Sequence, residues 1–323
     1  MKIIVPSFLL PLLSSPTCDL VEGQRVTEMC EIVTISNHGD LSGDPVGAEV
    51  VVLPWSLPDE LIERLLRMPS VRWIQTVAAG AEIALHALLP EQSVLVTNGS
   101  GVFDVPIAET VLAYILAVCK QVPRLLDQQR LRQWHVLRLR EVMGLTVAIV
   151  GLGSIGIEIA KRCKAMGMRV LATRRHPDRG GEDVDAVYAA ADLPQVLQTA
   201  DFVVLSAPLT PETRGMIGRE ELAHMRSDAW LINIGRGPLV DQGALVAALA
   251  SGSIGGAALD VFEVEPLPED SPLWRMENVI ITPHNSWSTP HMKEREATLF
   301  LDNLGRYLRG EPLRNVVNQA RGY

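Results

Sequence analysis

The sequence lacks a long apolar run, a low-complexity tract, an exact internal repeat and a basic cluster, and it has few cysteines. Each absence excludes a class. Without about 18 or more consecutive apolar residues, no membrane-spanning helix is expected. The nearest thing to a secretory leader is MKIIVPSFLLPLLSSPTC at the N-terminus. Pro6 and Pro11 interrupt its apolar stretch, and Pro16 and Thr17 leave no small-residue cleavage pattern, so KIIVPS reads as a first buried strand instead. Cys18, Cys30, Cys119 and Cys163 fall at spacings that match neither a zinc site nor a disulfide framework. Four packing thiols in a reduced, cytoplasmic compartment are expected. Lysine and arginine number 29 against 38 aspartates and glutamates, for a formal charge of -9, and are scattered along the chain. Nucleic acid needs a basic face and is therefore not an expected partner; a small molecule is.

The chain does have enough apolar residues for sizeable cores, 47% of 323 residues. At roughly 100 to 200 residues per domain this length suggests two domains. Short β-rich apolar runs alternate with helical stretches, the pattern of parallel sheets covered by helices. KIIVPS, CEIVTIS, EVVVLPW, VRWIQTVA and SVLVTN form a first series, with the helix DELIERLLRM, which Asp59 could cap, between two of them. PIAETVLAYILAVCKQV (106–122) reads as a long, mostly apolar helix with proline in its first turn. A second series comprises TVAIVG, RVLATR, FVVLSAP, AWLINIG, GGAALDVF and VIITPH. An amphipathic helix, 291–310, closes the chain with no sheet of its own. The economical arrangement is a nucleotide domain, 101–288, inserted into another α/β domain formed by 1–100 and 289–323. Ligands commonly bind in a cleft between domains.

Gly151-Leu-Gly153-Ser154-Ile155-Gly156 follows the strand TVAIV and opens a helix, the context that turns G-x-G-x-x-G into a dinucleotide fingerprint. The glycines permit a tight turn and close approach of a pyrophosphate, and the helix N-terminus faces the anion. Eighteen residues beyond Gly156, at the tip of the next strand, a carboxylate would accept the adenosine ribose 2'-hydroxyl. Arg174 and Arg175 stand there, with Thr173 before them and Asp178 only beyond Pro177. Guanidinium suits a 2'-phosphate, so NADP(H) is expected ahead of NAD(H).

Three polar residues follow strands of this second series: Arg236 in INIGRGPLVD, Glu265 in ALDVFEVEPLP and His284 in IITPHNSWS. All three can converge on the carboxyl edge of the sheet. Reduction of a 2-oxo acid needs a hydride donor, a proton donor and a cation for the carboxylate. Imidazole titrates near neutrality and suits His284 to proton transfer. Glu265 would orient the ring, and Arg236 would grip the carboxylate and polarise the carbonyl.

GLGSIG, SAPLTPETRGMI, NIGRGPLVD, ALDVFEVEPLP and TPHNS, in this order, resemble the D-isomer-specific 2-hydroxyacid dehydrogenase family, as do QTVAAGAE and PIAETVLAYIL. The resemblance implies a Rossmann domain inserted into a flavodoxin-like substrate domain. It gives Arg236, Glu265 and His284 the substrate-binding, relay and acid-base roles. It implies that Asp260 and the backbone around Ile234 hold the nicotinamide carboxamide. Ala207, Pro208 and Thr213 would lie along the adenosine side, and the N–H groups of Ala79 and Gly80 would meet the substrate carboxylate. The helix after Pro106 resembles the family's dimerisation element, which implies a homodimer. Arginine at 174 resembles the NADPH-preferring glyoxylate and hydroxypyruvate reductases. Glu82 stands where aspartate or asparagine is frequent, and Glu265, not glutamine, counts against a formate dehydrogenase-like member. Trp287 resembles a pocket wall and is expected to touch substrate.

The leading expectation is a 2-oxo acid reductase giving D-2-hydroxy acids, such as glyoxylate or hydroxypyruvate reduction. A second is a dinucleotide-sensing binding protein like the C-terminal-binding-protein corepressors, disfavoured by the absence of long flanking tails. A third is NAD-dependent oxidation of the 3-phosphoglycerate type, disfavoured by Arg174 and by the lack of an appended regulatory domain.

Overall fold

The first strand sets the pattern of the N-terminal sheet. In β1 (Lys2–Pro6) Ile3 and Val5 point to one face and Ile4 to the other, and all three are fully buried. A strand apolar on both faces belongs in the middle of a parallel sheet. The computed structural model describes residues 1–14, 19–21, 24–88 and 93–319. In it β1 lies between β2 (Glu31–Ile35) and β3 (Val50–Leu53), followed outward by β4 (Trp73–Thr76) and β5 (Leu95–Thr97). All pairs are parallel, in the flavodoxin-like order β2-β1-β3-β4-β5.

Helices α1 (Asp59–Leu66) and α2 (Glu82–Ala87) cover one face, where Ile62, Leu65, Leu66 and Ala84 meet Ile4, Val51 and Ile74. Asp59 is the first residue of α1 and makes no side-chain cap, contrary to the sequence expectation. It lies one position too late and acts instead as an acidic group in the first turn, where the helix dipole favours it. On the opposite face the chain's last helix, Met292–Leu308, packs Ala297, Phe300 and Leu304 against Ile3, Val50 and Trp73. This unit comprises Met1–Phe103 and Thr289–Tyr323, and a second unit, Asp104–Ser288, is inserted in it.

The inserted unit opens with α3 (Asp104–Cys119) and continues through α4 (Val122–Arg130). The single helix expected over 106–122 therefore starts two residues earlier and stops at Cys119. Gln121, left-handed at φ 48°, breaks it, and Pro123 occupies the first turn of the next helix. The sheet is wholly parallel: β6 (Thr146–Val150), β7 (Arg169–Thr173), β8 (Ala186–Tyr188), β9 (Phe202–Leu205), β10 (Trp230–Asn233), β11 (Gly256–Leu259) and β12 (Val279–Ile281). Their order is β8-β7-β6-β9-β10-β11-β12. The order reverses between β6 and β9, which defines a dinucleotide switch point. β8 is absent from the sequence reading; it is only three half-buried residues long and lies at a sheet edge. Behind β6, α5 (Ser154–Ala165) packs against α3.

Cys30, Cys119 and Cys163 are buried free thiols, and burial pushes Cys163 up to about 12. Cys18 lies outside the described residues. No single helix among the described residues is long and apolar enough to cross a membrane.

Candidate active site

The carboxyl edge of the inserted sheet assembles the glycine motif first. Gly151, just after β6, has φ 102°, and a β-carbon on it would stand 2.6 Å from the amide nitrogen of Ala207. A β-carbon on Gly156 would stand 2.5 Å from the Gly151 carbonyl oxygen. These two glycines are thus required for the turn and for bringing helix against strand. Gly153 differs: nothing lies within 4 Å of where its β-carbon would be. Gly153 caps α5 without a side chain, leaving the first amides of the helix accessible to an anion. Ser154 is exposed, Ile155 half-buried, and the Ser206 hydroxyl donates to Gly151 O at 2.7 Å. This backbone fits a dinucleotide pyrophosphate.

At the tip of β7, Thr173 is 3% exposed and therefore part of the core rather than an open donor. Arg174 donates from Nη1 to the Gly180 carbonyl at 2.8 Å, which closes the loop 174–180, and Arg175 is exposed. The Glu212 carboxyl is held below its ordinary value by the Thr210 hydroxyl, its own backbone and the charge of Arg175. A carboxylate from a distant loop thus lies within electrostatic reach of this tip, and counting residues along β7 could not find it. In the same loop Thr213 donates to the Pro208 carbonyl at 2.7 Å and accepts the Thr210 N–H at 2.8 Å. Ala207 is buried against Gly151 and Pro208 is exposed.

His284 and Glu265, the expected acid-base pair, are in direct contact. His284 Nδ1 lies 2.7 Å from Glu265 Oε2, while Glu265 Oε1 accepts the Phe262 N–H at 2.9 Å. The carboxylate is thereby fixed on one side by backbone and presents its other oxygen to the ring. Nε2 is left as the ring nitrogen that faces away from Glu265. His284 itself is left-handed at φ 49°, a conformation that a residue with a β-carbon keeps only when its surroundings hold it. The Trp287 indole N–H donates to the His284 carbonyl at 2.7 Å, so this side chain braces the turn.

Arg236 follows β10 in a turn built by Asn233, which is 1% exposed. Asn233 donates from Nδ2 to Arg236 O at 3.1 Å and accepts the Gly235 N–H at 3.1 Å. Arg236 Nη1 donates to Gly235 O at 2.9 Å. The next residue, Gly237, lies so close to the 262–265 loop that a β-carbon on it would be 1.8 Å from Phe262 O. The Arg236 turn and the Glu265 loop are thus packed backbone to backbone. Ile234 is buried, its amide 3.4 Å from Leu205 O.

Asp260 is fully buried. Its carboxylate accepts from Thr282 Oγ1 at 2.5 Å and from the amides of Asn285 at 3.0 Å and Ser286 at 3.1 Å. In this arrangement it faces the His284 turn. Sequence reasoning did not single out Asn233, Thr282 or Tyr114, whose hydroxyl is 2.5 Å from that of Thr282. Asparagine at a strand end was the one available signal.

In the other unit, Leu53, Trp55, Thr76, Ala78, Gly80 and Ile83 line a cavity of about 170 Å³ at the carboxyl ends of β3 and β4. Thr76 Oγ1 lies 3.0 Å from Ala78 O and 3.3 Å from Gly80 O, and Asn98 Nδ2 donates to Ala79 O at 2.8 Å. The carbonyls of the turn are held, which fixes the peptide planes of Ala79 and Gly80. The Glu82 side chain lies outside the described residues.

The family model for "D-isomer specific 2-hydroxyacid dehydrogenase, NAD binding domain" matches residues 112–286. Glyoxylate/hydroxypyruvate reductase B of Citrobacter koseri is 39% identical over 261 residues, 79% of this chain and 80% of its own. D-3-phosphoglycerate dehydrogenase of Methanocaldococcus jannaschii is 36% identical over 71% of this chain, which spans 44% of that relative's length. A D-isomer specific 2-hydroxyacid dehydrogenase from Xanthobacter autotrophicus Py2, solved with NADPH and MES, is 31% identical, with a TM-score of 0.85 and coverage of 100% of this chain and 99% of that one. A model spanning more than half of the sequence, and likeness of this extent in both units, leave one assignment: the chain belongs to the D-isomer specific 2-hydroxyacid dehydrogenase family.

Proposed function

We propose that the protein reduces a small 2-oxo acid to a D-2-hydroxy acid with a nicotinamide dinucleotide, as in glyoxylate or hydroxypyruvate reduction. The 2.7 Å contact between His284 and Glu265, beside the glycine turn and the Arg236 turn, carries this reading. A reduced dinucleotide, when bound at the glycine turn, would supply the hydride for the carbonyl carbon. His284, protonated and oriented by Glu265, delivers a proton from Nε2 to the carbonyl oxygen; positioned acids of this kind contribute roughly 100- to 10,000-fold. Arg236 pairs with the substrate carboxylate and polarises the carbonyl. Trp287 walls the substrate pocket, and Ala79 and Gly80 offer amides in the cavity of the other unit.

The cofactor is held by Gly151, Gly153, Ser154, Ile155 and Gly156 at the pyrophosphate, and by Ala207, Pro208 and Thr213 along the adenosine. The backbone around Ile234 serves the carboxamide end; the Asp260 carboxylate, fully buried and held by Thr282, Asn285 and Ser286, lies behind the His284 turn instead. Arg174 and Arg175 favour NADP(H) over NAD(H), with Thr173 buried behind them: the tip of β7 carries guanidinium groups where a diol-binding carboxylate would stand, and the Xanthobacter structure holds NADPH. The protein acts in the cytoplasm as a homodimer. The dimer forms through the 106–122 helix region; Leu131, Trp134, Val136 and Met143, exposed just beyond it, support this reading. A monomer's mass in sedimentation would remove that part.

The test is consumption of reduced dinucleotide by the full chain, with NADPH and NADH in turn, against a panel of 2-oxo acids. Turnover with glyoxylate or hydroxypyruvate is expected. Turnover with none of them would reject the reading. The phosphoglycerate dehydrogenase relative supports a second reading, NAD-dependent oxidation of a phosphorylated 2-hydroxy acid. Running the assay in reverse with NAD separates the two.

A further inference from the structure

Tyr114 stands near the end of α3, a helix whose other buried side chains are mostly apolar. Its hydroxyl is 2.5 Å from Thr282 Oγ1, and Thr282 Oγ1 is 2.5 Å from Asp260 Oδ1. The direction of this chain follows from the inventory of protons. An ionised carboxylate only accepts, and a threonine hydroxyl has one proton, so Thr282 donates to Asp260 and Tyr114 donates to Thr282. Burial pushes the Tyr114 phenol up to about 12, so it remains a donor through the neutral range.

Asp260 gathers the turn that carries the acid-base histidine. Its carboxylate takes the amides of Asn285 and Ser286, and its carbonyl takes the His284 N–H at 2.8 Å. One turn earlier on α3, Thr110 Oγ1 lies 3.5 Å from the Ser286 carbonyl. The left-handed His284 is therefore held through Asp260, and the α3 hydroxyl lies at the end of the series. Hydrogen bonds in series polarise one another, so loss of the terminal donor is felt at the carboxylate.

We propose that Tyr114 is a positioning residue that acts through Thr282 and Asp260 to hold the strained turn aiming His284, without touching substrate or cofactor. The proposal rests on the reductase reading above and adds a residue from outside the sheet edge to it. It also explains the hydroxyl: a phenylalanine would fill the same space in α3 and leave the Thr282 oxygen without its donor.

The experiment uses the full chain and the 2-oxo acid it turns over best. Tyr114→Phe is expected to lower kcat by about 3- to 30-fold, the range for one buried hydrogen bond coupled to a charged group, with the Kd of the dinucleotide unchanged within about twofold. Thr282→Val is expected to give a loss of similar size, Thr282→Ser to recover it, and the double variant Tyr114→Phe/Thr282→Val to fall no further than the worse single one, because the hydroxyls act in series. If Tyr114→Phe does not fold, the Thr282 pair carries the test. A kcat equal to that of the parent, a loss confined to thermal stability, or losses that multiply in the double variant would each overturn the proposal while leaving the reductase reading intact. An inactive parent chain would reject that reading, and the proposal with it.

Discussion

At the residue scale, the site separates groups that do chemistry from groups that aim them. His284→Ala removes the proposed proton donor and is expected to lower kcat roughly 100- to 10,000-fold, with dinucleotide affinity measured by fluorescence titration nearly intact. A variant with normal rates would take His284 out of the mechanism. Arg174→Ala combined with Arg175→Ala should raise the Kd for NADPH at least about tenfold, the equivalent of one lost charge-assisted hydrogen bond pair, and alter NADH far less. Equal changes would refute the 2'-phosphate role. The candidate chemistry-bearing residues were legible in the sequence because histidine, glutamate and arginine each follow an apolar strand run. Their supports were not. Asn233, Thr282 and Tyr114 have side chains of ordinary packing or turn type, and only the fold shows that the Tyr114 hydroxyl is joined through Thr282 to a carboxylate 146 positions away in the chain, at Asp260.

At the element scale, close backbone approach does the assembling. The Arg236 turn lies on the 262–265 loop because Gly237 has no β-carbon. Gly237→Ala would force the two loops apart, and overpacking of this kind typically costs about 1 to 3 kcal/mol. We expect a lower thermal midpoint together with a raised KM for the 2-oxo acid, since Arg236 moves with its turn. An unchanged KM would mean that the two loops are not coupled. The strand-and-helix alternation was readable as two parallel sheets because buried parallel strands are apolar on both faces. The third strand of the inserted sheet was not readable, since Ala186–Tyr188 is only three residues long, pairs on one side alone with β7, and runs on into alanines that suit a helix as well as a strand. The extent of α3 was also misjudged, because Lys120 and Gln121 continue a helical pattern while the backbone turns left-handed at Gln121.

At the scale of the whole molecule, one buried carboxyl makes stability depend on pH. Glu296, in the final helix, is 3% exposed, and burial raises it from 4.5 to about 8, only partly offset by a hydrogen bond with Trp55. The folded protein therefore holds a proton that the unfolded chain releases above its ordinary carboxyl range. Stability is fully present below that range and declines as pH rises toward about 8, by up to about 1.4 kcal/mol per pH unit for a single group. Glu296→Gln removes this dependence, so its thermal midpoint is expected to gain on the parent's steadily from mildly acidic to mildly alkaline buffer. A difference between the two that does not change with pH would show Glu296 to be ionised in the folded state.

The fold class and the candidate residues at the sheet edge could be read from the amino-acid order alone, because these depend on short-range patterns: strand periodicity, glycine spacing, and polar residues placed just after strands. How those residues are held depends on the packed fold. Glu265 reaches His284 through a loop anchored on the Phe262 amide, and Asp260 faces the histidine turn with a threonine and a tyrosine behind it. Hydrogen bonds between elements are set by sheet order and packing depth, which no local pattern encodes.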